Sequence, residues 1–241
     1  MTVLYEDNHI IAVNKTCNEI VQGDKTGDTP LSELVKAYIK EKYNKPGEVF
    51  LGVTHRLDRP TSGVVLFART SKALTRLNEM FRDKSLADDA QPSCIVHCAS
   101  SITKTYWAVV QNAPQQQEGR LENYLVKNEA QNKSYIVKRG AKDAKRAVLT
   151  YRTIAKGDRY TLLEVMLETG RHHQIRCQLA GIGCPIKGDL KYGAKRSNPD
   201  GGICLHARKI EFIHPVSKAP IAITAPVPDD HLWQSLAQQV E

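Results

Sequence analysis

The run His55-Arg56-Leu57-Asp58-Arg59-Pro60-Thr61-Ser62-Gly63 sets one carboxylate between two guanidinium groups, directly before the apolar stretch Val64-Val65-Leu66-Phe67-Ala68. Arg56 and Asp58 stand two apart, so an extended backbone projects them to the same face. A neighbouring guanidinium favours the charged form of a carboxylate. Asp58 is therefore suited to serve as a permanent anion or as a carboxylate nucleophile. The same residues would equally close a turn with a structural ion pair, and this stretch alone leaves both readings open.

Further blocks carry chemistry-bearing side chains. Lys104-Thr105-Tyr106-Trp107-Ala108-Val109-Val110 reads as a strand, and alternation sends Tyr106 and Trp107 to opposite faces, so the two rings cannot share one pocket. Leu167-Glu168-Thr169-Gly170-Arg171-His172-His173-Gln174-Ile175-Arg176 ends on an arginine, the planar and permanently charged partner that a buried carboxylate needs. Gly183-Cys184-Pro185-Ile186-Lys187-Gly188-Asp189, Tyr192-Gly193, Leu205-His206-Ala207 and Phe212-Ile213-His214-Pro215 follow.

In this order the blocks resemble the RluA-type pseudouridine synthases, enzymes that convert uridine in RNA to its C-glycoside isomer. The resemblance runs over residues 1–225, nearly the whole chain. It implies the pseudouridine synthase fold and an enzyme that needs neither metal nor cofactor. It makes Asp58 the catalytic aspartate, Tyr106 the ring that stacks on uracil with a later part in removing the C5 proton, and Arg176 the partner that orients Asp58. Arg56 matches a position whose side chain fills the space left by an extruded base. Arg59 and Arg171 are expected at the RNA, although spacing does not separate a phosphate role for Arg171 from a carboxylate role. The resemblance leaves open whether Asp58 attacks C1′, adds at C6 or removes a ribose proton. Taken without the resemblance, Tyr106 could simply be a core aromatic of a strand.

Two other classes compete. A noncatalytic RNA-binding protein would explain the charge but not the carboxylate, tyrosine and arginine together. A nucleosidase-like hydrolase would also labilise a glycosidic bond, and free uracil among its products would reveal it. The expected partner is RNA, a stem-loop of tRNA or rRNA. Many relatives carry a small basic module ahead of the catalytic region; here recognition is expected to come from the catalytic domain and its loops.

The elements that must position these groups are legible as alternations and caps. Residues 3–13 read as a hairpin turning at Glu6-Asp7-Asn8. Thr29-Pro30 reads as N-cap and first turn of a helix carrying Leu31, Leu34, Val35 and Tyr38. Ser71 reads as the cap of a second helix with Leu74, Leu77 and Phe81 on one face. Strands are expected at 64–68, 105–111, 134–138, 147–154, 160–168, 203–213 and 221–224, with helices over 172–180 and 229–239. Strands in runs argue for an α+β fold with a largely antiparallel or mixed central sheet flanked by helices, in a single domain over 1–241. Segment 84–101 reads as a flexible excursion, because Asp88-Asp89-Ala90-Gln91-Pro92-Ser93 is polar and broken by proline.

At 241 residues a sizeable core is possible. Lys and Arg number 34 against 26 Asp and Glu, a net charge of +8 that suits a polyanionic partner. Two basic stretches stand out, Lys138-Arg139 with Lys142 and Lys145-Arg146, and the loop Gly193-Ala194-Lys195-Arg196-Ser197-Asn198-Pro199-Asp200-Gly201-Gly202. Cysteines at 17, 94, 98, 177, 184 and 204 do not form the paired clusters of a thiolate zinc site; Cys94, His97 and Cys98 have no second half. His172 and His173 are adjacent, so they are read as pointing to different sides of a helix. The start Met1-Thr2-Val3-Leu4-Tyr5-Glu6-Asp7 has no signal-peptide character and no run has the apolar length of a membrane span. A cytoplasmic monomer with free thiols is expected.

Overall fold

The computed structural model describes residues 1–82 and 102–240. The excursion expected at 84–101, with Cys94, His97 and Cys98, lies outside the described residues. The elements run β1 (Thr2–Glu6), β2 (Ile10–Lys15), α1 (Leu31–Lys42), β3 (Gly52–Val53), β4 (Ser62–Ala68), α2 (Ser71–Phe81), β5 (Thr103–Val110) and β6 (Glu118–Asn128). They continue with β7 (Lys133–Val137), β8 (Lys145–Lys156), β9 (Thr161–Leu167), α3 (Gln174–Gly181), β10 (Leu205–Ile213), β11 (Pro220–Thr224) and α4 (His231–Ala237). The chain is thus α+β and largely antiparallel. It divides into two compact units, one holding Met1–Arg82 and Ala207–Pro226, the other Lys104–His206 and the residues from 227 on.

In the first unit β2 lies between β1 and β4, both antiparallel to it, and β11 pairs antiparallel with β10. The hairpin turns where expected, because the Asp7 carboxylate accepts the amides of His9 at 2.7 Å and Ile10 at 2.8 Å. Alternate residues of four strands (Ile10 and Ala12, Val64 and Leu66, Ile210 and Phe212, Ile223) form one core face with Ala73 and Leu77 of α2. The intervening residues Ile11, Val13, Val65 and Phe67 are also fully buried. A strand buried on both sides reads as a continuous apolar run, as residues 64–68 do.

Both helix starts in this unit differ from expectation by one residue. Pro30, not Thr29, occupies the N-cap of α1, with no side-chain cap. The first free amides are satisfied elsewhere: Leu31 N donates to Ile20 O at 2.7 Å and Ser32 N to Val21 O at 3.2 Å. Thr70, not Ser71, caps α2, its hydroxyl accepting the Ala73 amide at 3.2 Å.

The second unit carries the antiparallel order β5-β9-β8-β6-β7. Helix α3 packs Cys177 against Leu125, Ala147 and Tyr192. It also anchors Gln178 by donating to Asn123 Oδ1 at 2.7 Å. Strand β6 has no counterpart in the sequence reading. Most of its residues are polar and only one is buried, and charged rungs such as Arg146–Glu122 at 2.7 Å tie it to its neighbour where apolar alternation is weak.

Gly63 is the tightest backbone position of the first unit. Its φ is +114°, and a Cβ there would lie 2.3 Å from the Ala207 carbonyl oxygen. Gly63→Ala is expected to cost about 3 kcal/mol, from left-handed strain plus a clash with main chain that cannot move aside. Urea unfolding measures it; a midpoint within error of wild type would show that β4 and β10 can part freely here.

Candidate active site

In the first unit the Asp58 motif is an extended approach followed by a turn. Leu57 is buried while Arg56 is exposed and Asp58 half-buried, the alternation of burial that an extended run gives. The approach is fastened to β4, where His55 Nε2 accepts the Leu66 amide at 3.0 Å and Thr54 Oγ1 donates to the Leu66 carbonyl. The turn closes by a hydrogen bond from Thr61 N to Asp58 O at 3.0 Å.

Beneath this turn sits Lys15, a residue that no motif in the sequence singles out. It is the last residue of β2, opposite Gly63 in register, and 0 % exposed. Its ammonium donates to the carbonyls of Thr16 at 3.0 Å, Arg59 at 2.9 Å and Thr61 at 2.6 Å. All three of its protons are used, two of them on the carbonyls that flank Pro60 just after Asp58. Burial pushes the Lys15 pKa down to about 8, opposed by Glu19, Cys17 and Asp58 nearby. The only signal in the sequence is a lysine ending an apolar strand.

Arg59 turns away to the 24–28 loop. It bonds Asp28 Oδ2 at 2.6 Å and Thr26 Oγ1 at 2.7 Å, with Asp24 at 3.5 Å. Its hydrogen bond holds the Asp28 carboxyl below the usual range. The Arg59 guanidinium is thus engaged with the carboxylates of this loop.

In the second unit Tyr106 lies on β5 opposite Val165 of β9, and both it and Trp107 are buried. Residues 169–176 form a hydrogen-bonded knot. Thr169 Oγ1 accepts the Val148 amide at 2.8 Å and donates to Gln174 Oε1 at 2.7 Å, which also accepts the Arg171 amide at 2.9 Å. Arg171 Nε donates to the Arg146 carbonyl at 2.9 Å. His173 adopts φ +52°, a left-handed conformation that delays α3 to Gln174. The two histidines therefore do not follow helical spacing, and their rings stack 3.8 Å apart instead of pointing to different sides.

Arg176 is 5 % exposed and forms a bidentate pair with Asp189, 1 % exposed, through Nε–Oδ2 at 2.7 Å and Nη2–Oδ1 at 2.8 Å. Its Nη1 lies 2.9 Å from His173 Nε2, and its guanidinium 5.1 Å from the Tyr192 ring centre. Guanidinium only donates, so His173 Nε2 accepts and the ring proton sits on Nδ1, facing Tyr192 Oη at 3.0 Å. Burial and then the Arg176 charge push the His173 pKa down to about 2, so it stays neutral. Tyr192 also accepts the Ser134 amide at 2.8 Å. In the sequence Asp189 and Tyr192 are only letters of a motif; their work is to fix Arg176 in one orientation. Among the described residues no group of three or more His, Cys, Asp or Glu could hold a metal ion.

Two outcomes follow. Lys15→Met, which keeps the stem and strands three buried carbonyls, is expected to lower stability by about 3–5 kcal/mol. Because its folded pKa is near 8 and its ordinary value 10.5, the unfolded chain binds this proton more tightly between those limits. The stability difference between wild type and Lys15→Met should therefore widen as pH rises from 8 to 10.5 and stay flat below. Unfolding curves at stepped pH test it, and a difference independent of pH would refute it. Asp189→Asn leaves Arg176 buried without its counter-charge and should cost about 3–5 kcal/mol; an unchanged urea midpoint would count against the pair as the anchor of the knot.

A family model described as RNA pseudouridylate synthase matches residues 9–181. The ribosomal large subunit pseudouridine synthase D of Xanthomonas campestris is 33% identical over 95% of this chain and 67% of its own length. The tRNA pseudouridine synthase C of Vibrio cholerae is 29% identical over 99% of this chain and 95% of its own. In fold, the human RNA pseudouridylate synthase domain containing 4 superimposes with a TM-score of 0.75 at 21% identity, covering 99% of this chain and 92% of that one. With the family model matched over well beyond half its length and these relatives aligned along nearly all of it, the chain belongs to the RNA pseudouridine synthases of the RluA type.

Proposed function

We propose that this isomerase converts particular uridines of tRNA or rRNA to pseudouridine with Asp58 as its catalytic carboxylate. The observation that carries the reading is the Asp58 turn: it lies within the family match and is held from below by the Lys15 ammonium. The target base is stacked in folded RNA, so it must be extruded before any group can reach it. Arg56, exposed and two residues before Asp58, is the side chain assigned to the vacated space. Tyr106 is assigned to stack on the extruded uracil, Arg176 to orient Asp58, and Arg59 and Arg171 to the RNA. The whole chain, 1–241, acts as one catalytic domain, as a cytoplasmic monomer.

The reaction balances without a co-reactant. The C1′–N1 bond breaks, the uracil turns, a C1′–C5 bond forms, C5 loses its proton and N1 gains one. Keeping the detached base in place is a proximity effect, since escape would turn the isomerisation into a hydrolysis. Support for tRNA and rRNA as substrates comes from the relatives, whose names cover both.

Tritium at C5 of uridine in RNA should be released to solvent while unlabelled RNA keeps its mass, and a strong chelator should not diminish the release. Asp58→Asn should abolish release while leaving RNA affinity near wild type, because an amide is a poor nucleophile and binding rests mainly on phosphate contacts. Free uracil as the product would favour the hydrolase. A folded Asp58→Asn variant with near-normal isomerisation would overturn the assignment.

A further inference from the structure

The basic loop after Tyr192 has no part in the chemistry above, yet the fold gives it a defined shape. Lys187 is fixed at its backbone by Lys187 N to Val109 O and Cys204 N to Lys187 O, each 2.9 Å. Its ammonium donates to Asn198 Oδ1 at 2.6 Å, and Asn198 Nδ2 lies 3.4 Å from Cys204 Sγ. Under the loop, Gly188 at φ +89° comes so close that a Cβ would meet the Asn198 side chain at 2.7 Å and the Gly202 carbonyl at 2.8 Å. The loop is therefore packed down onto residues 187–188.

This packing creates a groove of about 620 Å³ within the second unit, between the β8–β9 turn and the loop. Arg159, Lys187, Lys195 and Arg196 line it, with the Tyr160 ring and Asn198; no carboxylate does. Arg159, Lys195 and Arg196 are exposed, and none of them joins an ion pair among the described residues. The acidic neighbours in sequence, Asp158 and Asp200, do not line it, and Asp200 accepts the Gly202 amide at 2.9 Å. Elsewhere in the same unit exposed arginines do find carboxylates, as Arg120 and Arg152 do. Like charges gathered in a concave surface repel one another and raise the local concentration of anions.

Resting on the reading as an RNA isomerase, we propose that this groove is a second binding site for RNA, gripping a phosphodiester segment away from the target uridine. None of Asp58, Tyr106 or Arg176 lines it. The grip would be on backbone phosphate, so it adds affinity and register but no sequence readout.

The test uses the full chain with Arg159→Gln, Lys195→Gln and Arg196→Gln combined, on an RNA that the wild type isomerises. Each phosphate that the protein no longer neutralises lowers the slope of log affinity against log salt by about 0.7–0.9. The triple variant should show a slope smaller by about 2–3 and a KM raised about tenfold, with kcat unchanged. The charge-preserving combination Arg159→Lys, Lys195→Arg and Arg196→Lys should restore the slope, which a purely structural loop would not predict. An unchanged slope and KM would overturn the proposal, as would uridine 5′-monophosphate competing with RNA for the wild type but not for the triple variant, which would mark a site for small anions. A wild type that isomerises no RNA would instead refute the proposed function, and the two failures are separately visible.

Discussion

Burying the ammonium of Lys15 with no solvent to hydrate it obliges the chain to bring oxygens to it, and two of the three it brings belong to the turn that follows Asp58. A buried cation is costly unless all its donors are met. Here the carbonyls of Thr16, Arg59 and Thr61 meet them, which ties the end of β2 to the turn that follows Asp58. The turn is thereby held at the point where β2 and β4 run antiparallel, with Lys15 opposite Gly63. A side chain on Gly63 would drive β4 from Ala207 and disturb the register on which the lysine depends. The geometry around the carboxylate thus follows from one desolvated charge and one missing Cβ.

The second unit solves a similar problem with a different cation. Arg176 is almost as buried as Lys15, but its planar fork suits a carboxylate, and Asp189 engages it bidentately. Lys15 makes neutral partners suffice, its pKa lowered by burial to about 8; Arg176 faces a carboxylate on its own fork, while His173 beside it stays neutral. A buried ion pair is weak evidence for stability, since apolar replacements can do as well. What it supplies is a single orientation, because each donor on the guanidinium edge has a fixed acceptor. A residue proposed to orient a catalytic carboxylate has to be immobile itself before it can immobilise anything else.

How far the sequence could be read follows from what each element is made of. The hairpin of β1 and β2, the apolar β4, and helix α2 with its Leu74–Leu77–Phe81 stripe were legible because side-chain burial writes their periods into the sequence. Strand β6 was not, since Glu118, Arg120 and Glu122 are polar and exposed, and Arg120 and Glu122 pair through charge rather than burial. The start of α1 slipped by one residue because main chain at Ile20 and Val21 satisfies its first amides, a tertiary bond that no local rule foresees. Of the side chains proposed for the reaction, Asp58, Tyr106 and Arg176 stood out by residue type and motif. Lys15 did not, because nothing local distinguishes a lysine that snorkels to solvent from one that points inward to carbonyls. The stacking of His172 on His173 turns on one positive φ at a non-glycine residue, which a helical wheel cannot represent.

Cofactor-free isomerisation, as proposed, places particular demands on such a scaffold. A reaction run without a metal or an electron sink has placement and electrostatics as its means of lowering the barrier. The base must be freed from its sugar, turned and rejoined without leaving, which a loosely held carboxylate or a mobile arginine would not sustain. Charges anchored in the interior meet that demand, because their desolvation makes any displacement expensive. The exposed cations of the 193–202 loop are subject to no such constraint and contribute by attraction over distance. Buried charge for geometry and exposed charge for capture are different uses of the same residue types, and in the second unit they stand close in sequence, Asp189 in the buried pair and Lys195 and Arg196 in the loop that follows.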